Sequence, residues 1–167
     1  MGSEGIAQDA SEVTAPSGLH THRASPPVFF LVALVAVVVV ALVSPGPELS
    51  LPGGWLVAGA CILAGIVLNV IASGQFERRN ISIRPGSKSG CLETRGLYRF
   101  SRNPMYLGMV LVQVGAALAL GSLVSFVVPA VFVGLLNRKF IRHEEALLRA
   151  EFGQEYADYS ARVRRWI

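Results

Sequence analysis

From Met105 to Leu136 the chain runs for 32 residues without a charged side chain. As one straight helix that stretch would be about 48 Å long, well beyond the roughly 30 Å hydrocarbon core of a bilayer. Gly121-Ser122 stands at its midpoint and predicts a turn. The stretch therefore reads as a hairpin of two short helices, Met105–Leu120 and Leu123–Leu136, with Pro129 kinking the second. Two more apolar stretches precede it. Val28–Val43 is free of charge for 16 residues, and Gly53–Ala72 is a 20-residue segment opened by Pro52 and interrupted by Asn69. Only 16% of the 167 residues are charged, while 52% are hydrophobic; soluble domains carry about a quarter charged. A soluble buried-core protein of this composition would lack charge over most of its surface. The expected fold is an all-α integral membrane protein with four transmembrane helices, the last two a helical hairpin, and short cytoplasmic helices at the C-terminus.

The basic residues orient this layout. Arg23 precedes the first stretch, seven Lys and Arg lie from Arg78 to Arg102, and seven from Arg138 to Arg165. The segment 44–52 and the 121–122 turn contain none. Four spans put all 15 on one side, which becomes cytoplasmic by the positive-inside rule; three spans would put the last seven across the membrane. The net charge of +4 is thus an orientation signal, and no nucleic-acid partner is expected. Thirteen Arg against two Lys hints at a GC-rich bacterial genome, hence a bacterial inner membrane. Residues 1–27, rich in Gly, Ala, Ser, Thr and Pro, are too poor in apolar side chains to order and are expected to be disordered. Arg23 is their lone basic residue and Val43-Ser44-Pro45 is a poor cleavage site, so the first span is expected to be retained. A single membrane domain then covers 28–167, with spans at 28–43, 53–72, 105–120 and 123–136, a loop at 73–104 and a tail at 137–167. Cys61 lies in an apolar stretch and Cys91 in a polar loop, so they are not expected to pair, and neither has zinc-site spacing. His20-Thr21-His22 reads as incidental rather than as a metal site.

The spans hold little chemistry. Asn69 and Gln113 read as interhelical hydrogen-bonding groups, and the pairs Ala60/Ala64 and Gly115/Ala119 as close-approach positions or plain apolar filler. Functional residues are expected in the loop and the tail. Pro104 excludes Asn103 from the helical region and opens the third helix. The unpaired N–H groups of that helix start, with Arg99 and Arg102, suit a carboxylate or phosphate, or else form a basic flank that caps a span. In the tail, Leu148, Phe152, Tyr156, Tyr159, Val163 and Trp166 recur at steps of three or four. That apolar face suits two short helices, separated at Gly153, on the membrane surface or folded back onto the loop. Trp166 reads as an interfacial anchor. Glu144 and Glu145 follow a membrane helix, where a helix C-terminus disfavours carboxylates. They invite a cationic partner, either a ligand or the nearby Arg138, Arg142 and Arg149.

Loop and tail together resemble the integral-membrane methyltransferases that include isoprenylcysteine carboxyl methyltransferases and phospholipid N-methyltransferases. The shared pattern is Arg102-Asn103-Pro104-Met105-Tyr106-Leu107-Gly108, then Glu144-Glu145-Ala146-Leu147-Leu148, Phe152-Gly153-Gln154-Glu155-Tyr156-Ala157-Asp158-Tyr159 and Val163-Arg164-Arg165. It covers about 73–167 and is specific as a set. The resemblance implies S-adenosylmethionine as methyl donor, no metal, and a cofactor site on the cytoplasmic side. By position, Arg102, Asn103, Pro104, Tyr106 and Gly108 would form one wall. Glu144 and Glu145 would meet the cationic groups of the cofactor, and Tyr156 and Tyr159 would close over it. Glu144, Glu145 and Tyr106 are the candidate catalytic residues. The acceptor implied is a membrane lipid or lipid-modified substrate, methylated on a phospholipid amine or an isoprenylcysteine-like carboxylate. Position 103 is Asn where carboxyl methyltransferases typically carry His, which is closer to the phospholipid enzymes. The competing reading is a small non-enzymatic membrane scaffold that binds anionic lipid headgroups; binding of S-adenosylmethionine separates the two.

Overall fold

The structure, a computed structural model, describes residues 25–44, 46–77 and 92–167. The described residues form five α-helices in order: α1 (Pro26–Val43), α2 (Gly54–Glu77), α3 (Pro104–Ala119), α4 (Val127–Leu136) and α5 (Arg142–Arg162). Short 3-10 turns occupy Gly96–Arg99 and Val124–Phe126, and a π-helical segment, Asn137–Ile141, joins α4 to α5. Among the described residues the one β-type pairing is the isolated Glu48–Ser122 bridge, so the all-α expectation holds. Among the described residues three helical runs are long and apolar enough to cross a membrane: Pro26–Val43, Gly54–Gln75 and the continuous run Val124–Arg162. Pro104–Ala119 is a shorter apolar helix.

Boundaries moved for identifiable reasons. Pro26 and Pro27 open α1, because proline suits a first helical turn whose N–H groups have no partner. Residues 1–24 of the expected disordered tail, with His20 and His22, lie outside the described residues, as does Cys91; Cys61 is a free thiol. α2 runs five residues past Ala72 into the expected loop. Gly121 makes the expected turn with φ 62°, a left-handed conformation that favours glycine. Pro129 does not kink the fourth helix. It falls in the first turn of α4, behind a 3-10 turn, where its missing N–H costs little. The largest departure is that no break separates the fourth apolar stretch from the tail: α4, the π segment and α5 form one helical run.

α2 and α3 pack backbone to backbone. A Cβ placed on Gly108 would lie 2.6 Å from the Gly65 carbonyl oxygen, and one on Gly115 would lie 2.8 Å from that of Ala58. Glycine is what lets the two helices meet at this separation. Ala60, Ala64 and Ala119 instead face outward. Asn69 does not bridge helices; its Nδ2 donates to the Gly65 carbonyl of its own helix at 2.9 Å, since Gly108 opposite offers no side chain. Gln113 is fully buried, and neither of its amide atoms has a partner among the described residues. α1 and α4 cover another face of α3, where Tyr106, Met109, Phe132, Leu136 and Ile141 form the main apolar cluster with Phe29 and Trp166 against it.

The bundle has two chemically distinct ends. At one, the Leu49 N–H donates to the Gly121 carbonyl at 2.7 Å and ties the α1–α2 connection to the α3–α4 turn. At the other, Phe29 of α1 meets Phe140 edge-on at 5.4 Å and the Lys139 ammonium lies 5.4 Å over the Phe29 ring. Every Lys and Arg among the described residues belongs to segments of this second end.

Candidate functional site

The site is built where α3 begins and α5 leaves the bundle. Asn103 precedes Pro104 with φ −132° and does not cap α3 with its side chain. Its Nδ2 donates instead to the Arg165 carbonyl at 3.0 Å, and its N–H donates to Ser101 Oγ at 3.1 Å. The Arg102 N–H donates to the Arg164 carbonyl at 3.0 Å. The start of α3 is thereby laced to the extended residues that follow α5. One turn into α3, the Tyr106 hydroxyl donates to Glu144 Oε1 at 2.6 Å. Gly108, two residues further, points about 200° around the helix and packs on α2. Tyr106 and Gly108 therefore serve different surfaces, and Gly108 contributes packing rather than a wall facing Glu144.

The two adjacent acids occupy opposite environments. Glu145 is 5% exposed and gripped by arginine. Arg165 donates from Nε to Oε1 at 2.9 Å and from Nη2 to Oε2 at 2.7 Å, Arg102 Nη1 lies 3.2 Å from Oε1, and Arg149 Nη2 lies 3.8 Å from Oε2. Burial works to raise its pKa, but the Arg165 hydrogen bonds and the charges of Arg102, Arg165 and Arg149 outweigh it and hold the carboxyl below its ordinary value. Glu144 has no Lys or Arg partner among the described residues; its hydrogen bond comes from Tyr106. Burial pushes its carboxyl above the ordinary value, and the Tyr106 bond and the charge of His143 offset this only in part.

Arg102 joins the halves of the site. Its Nη1 also donates to the Tyr156 hydroxyl at 3.2 Å, while its Nε is buried without a partner among the described residues. Tyr159 is buried and donates to the Tyr98 carbonyl at 2.8 Å. Gly153, at φ 49° and ψ −117°, kinks α5 and separates its two halves as the sequence suggests. Beyond the kink, Tyr156 and Tyr159 pack with Leu92, supported by Leu148, Phe152 and Val163. The apolar face of the tail thus folds back onto the loop. Trp166 departs from that face and packs against the Tyr106 cluster, so it is part of the protein interior around the site. Arg99 is exposed and stands apart from Glu144 and Glu145.

Sequence reasoning paired Glu145 with neighbouring arginines or a ligand and missed Arg165, its bidentate partner. The only available signal was the closing Val163-Arg164-Arg165, whose partner lies 20 residues back across a kink. Chemically, the arrangement offers a half-buried carboxylate with no Lys or Arg partner among the described residues and, beside it, a guanidinium whose Nε has no partner there. That is a cradle for a small zwitterion or cation.

The phospholipid methyltransferase family profile matches residues 55–155. Protein-S-isoprenylcysteine O-methyltransferase B of Arabidopsis thaliana is 31% identical over 105 residues, covering 61% of this chain and 53% of that protein. Protein-S-isoprenylcysteine O-methyltransferase of Schizosaccharomyces pombe is 27% identical over 107 residues, 58% of this chain and 45% of its own length. An uncharacterized protein of Haemophilus influenzae is 35% identical over 63 residues, 38% of this chain and its whole length. The chain spans about half the length of the isoprenylcysteine methyltransferases it matches. No solved structure matches it.

Proposed function

The chain belongs to the phospholipid methyltransferase family, and from that premise we propose that it transfers a methyl group from S-adenosylmethionine to a membrane-embedded acceptor. The observation that carries this reading is Glu144: a half-buried carboxylate that no Lys or Arg among the described residues pairs with, beside a guanidinium whose buried Nε has no partner there. A free acid and a free guanidinium N–H fit the cationic and carboxylate groups of S-adenosylmethionine. When bound, that donor supplies a methyl already activated on a sulfonium.

The protein's own work is to bind, orient and exclude water. Glu144 holds the cationic part of the donor, and the Tyr106 hydroxyl fixes the orientation of that carboxylate. Arg102 receives the donor carboxylate while Glu145 and Arg165 keep its guanidinium in place. Asn103 and Pro104 set the start of α3 against the C-terminal strap, and Tyr156 closes the side next to Arg102. A carboxylate acceptor needs no base; with an amine acceptor the Tyr106–Glu144 pair is placed to take up the proton. The lipid part of the acceptor approaches laterally through an apolar groove of about 280 Å³ between α1 and α4, lined by Phe29, Ala33, Val131 and Phe132. Phe132 belongs to the Tyr106 cluster and Phe29 packs against it. α3 serves as a fourth crossing, and the basic end with the site faces the cytoplasm.

Purified protein in detergent or lipid is expected to bind S-adenosylmethionine, and Glu144→Gln and Arg102→Ala to weaken that binding by about tenfold or more each, the scale of one charge-assisted hydrogen bond. Absence of binding by the wild-type chain sinks the reading. With binding in hand, a radiolabelled methyl donor and total membrane lipid identify whether lipid, protein or a small molecule is labelled.

A further inference from the structure

The inward face of the last helical run passes through Pro129, Phe132, Leu136, Ile141 and Glu145. Its steps are three, four, five and four residues. One face of an α-helix is kept by steps of three and four, so the step of five requires one additional residue. It coincides with the π-helical segment Asn137–Ile141, where the Arg142 N–H bonds to the Asn137 carbonyl, five residues back instead of four. Leu136 and Ile141 are both completely buried and fix the two ends of the segment, while Arg138 and Lys139 between them are exposed. Such segments are rare and short, and they recur at functional positions.

Each residue of an α-helix turns the chain by about 100°. Were the run α-helical throughout, the face through Leu136 would continue to Phe140 and then Glu144. Glu144 would enter the arginine clamp, and His143 would stand opposite Tyr106. We propose that the π turn at Asn137–Ile141 sets the register of the site: its one extra residue assigns Glu145 to Arg102 and Arg165 and leaves Glu144 beside Tyr106 as the free carboxylate. The functional half of this inference rests on the methyltransferase reading; the structural half does not.

Deleting Lys139 removes the extra residue at an exposed position and leaves Ile141 four residues after Leu136, so a plain α-helical turn then keeps Ile141 and Glu145 on the inward face. In the full chain, Glu145→Gln is expected to lower the melting temperature in detergent more than Glu144→Gln, because Glu145 is the clamped acid. In the Lys139 deletion the same order is expected, and S-adenosylmethionine binding is retained, because Glu144 stays beside Tyr106. The proposal is overturned by a greater effect of Glu144→Gln in the full chain, by a reversed order in a folded deletion, or by a folded deletion whose binding falls by about tenfold or more. Should the deletion fail to fold, His143→Glu combined with Glu144→Gln in the full chain is the alternative. In the π register position 143 does not face Tyr106, so this double variant binds no better than Glu144→Gln, and recovered binding counts against the proposal. If the wild-type chain binds no S-adenosylmethionine, the methyltransferase reading falls while the melting order still decides the register.

Discussion

A carboxylate buried among guanidinium groups and one half-buried beside a phenol respond to protons in opposite senses. Glu145 is held below its ordinary value of 4.5. Its contribution to stability is therefore present above that value and is lost as pH falls through the lower folded one. Glu144 is raised above 4.5, so its ionisation weighs against the folded state as pH rises through the folded value. Two trends follow for the ligand-free protein and the complex. As pH climbs from 4.5, the ligand-free chain loses a little stability on account of Glu144, whereas affinity for S-adenosylmethionine increases as the ionised carboxylate forms. Glu144→Gln is expected to flatten both trends, which melting curves and binding isotherms across that interval will show. Arg165 makes the second residue-scale prediction. Arg165→Ala removes the two hydrogen bonds of the fork and leaves Arg102 and Arg149 to hold the Glu145 carboxylate, so it is expected to cost about 1.5–3 kcal/mol in denaturant unfolding. Arg165→Lys is expected to recover only part, because an ammonium cannot supply the two parallel donors of the fork. Glu144, Tyr106 and Arg102 could be picked out from the sequence because local motifs carry them. Arg165 could not, because its partner is reached only after α5 kinks and the chain returns.

That kink belongs to the scale of the element. Gly153 adopts φ 49° with ψ −117°, a region that side chains with a Cβ enter at a cost of about 1–3 kcal/mol. Gly153→Ala is expected to destabilise the protein by roughly that amount, and the loss should concentrate in the second half of α5, which carries Tyr156 and Tyr159. Hydrogen exchange resolved along α5 would show it: a uniform loss over α1 to α4 instead would mean that the kink is not a local hinge of the site. The sequence announced this break plainly, because a glycine interrupts an otherwise regular three-and-four pattern. It announced the π segment far less well, since a step of five between Leu136 and Ile141 resembles the end of one amphipathic face and the start of another. For the same reason a single boundary was expected where the run is continuous. Small residues spaced by four suggested Ala60 and Ala64 as a contact, but spacing gives a face without saying which neighbour covers it. Gly65, Gly108 and Gly115 take that role because α3, and nothing else among the described residues, approaches α2 this closely.

At the scale of the molecule, the α1–α2 connection and the α3–α4 turn meet at the end that lacks Lys and Arg among the described residues, and the site lies at the opposite, basic end. α3 runs antiparallel along α2, with Gly108 against Gly65 and Gly115 against Ala58, which supports the proposal that it is a fourth crossing. Its 16 residues amount to about 24 Å, and a helix shorter than the roughly 30 Å core is accommodated by local thinning and by flanking polar groups that reach outward. This makes an even number of crossings the expectation, with both described ends on the basic side. The expectation is testable without any assay of activity. In a chain whose native cysteines are replaced by alanine, Ser50→Cys reports the charge-poor end and Glu155→Cys the basic end. A membrane-impermeant maleimide applied to intact cells should label Ser50→Cys alone and reach Glu155→Cys only after the membrane is opened. Labelling of Glu155→Cys in intact cells would put the carboxylate–arginine site outside. It would then be separated from a cytoplasmic supply of S-adenosylmethionine, so the orientation result bears on the chemistry: an outward-facing Glu144 would have to be reassigned to a different cationic ligand.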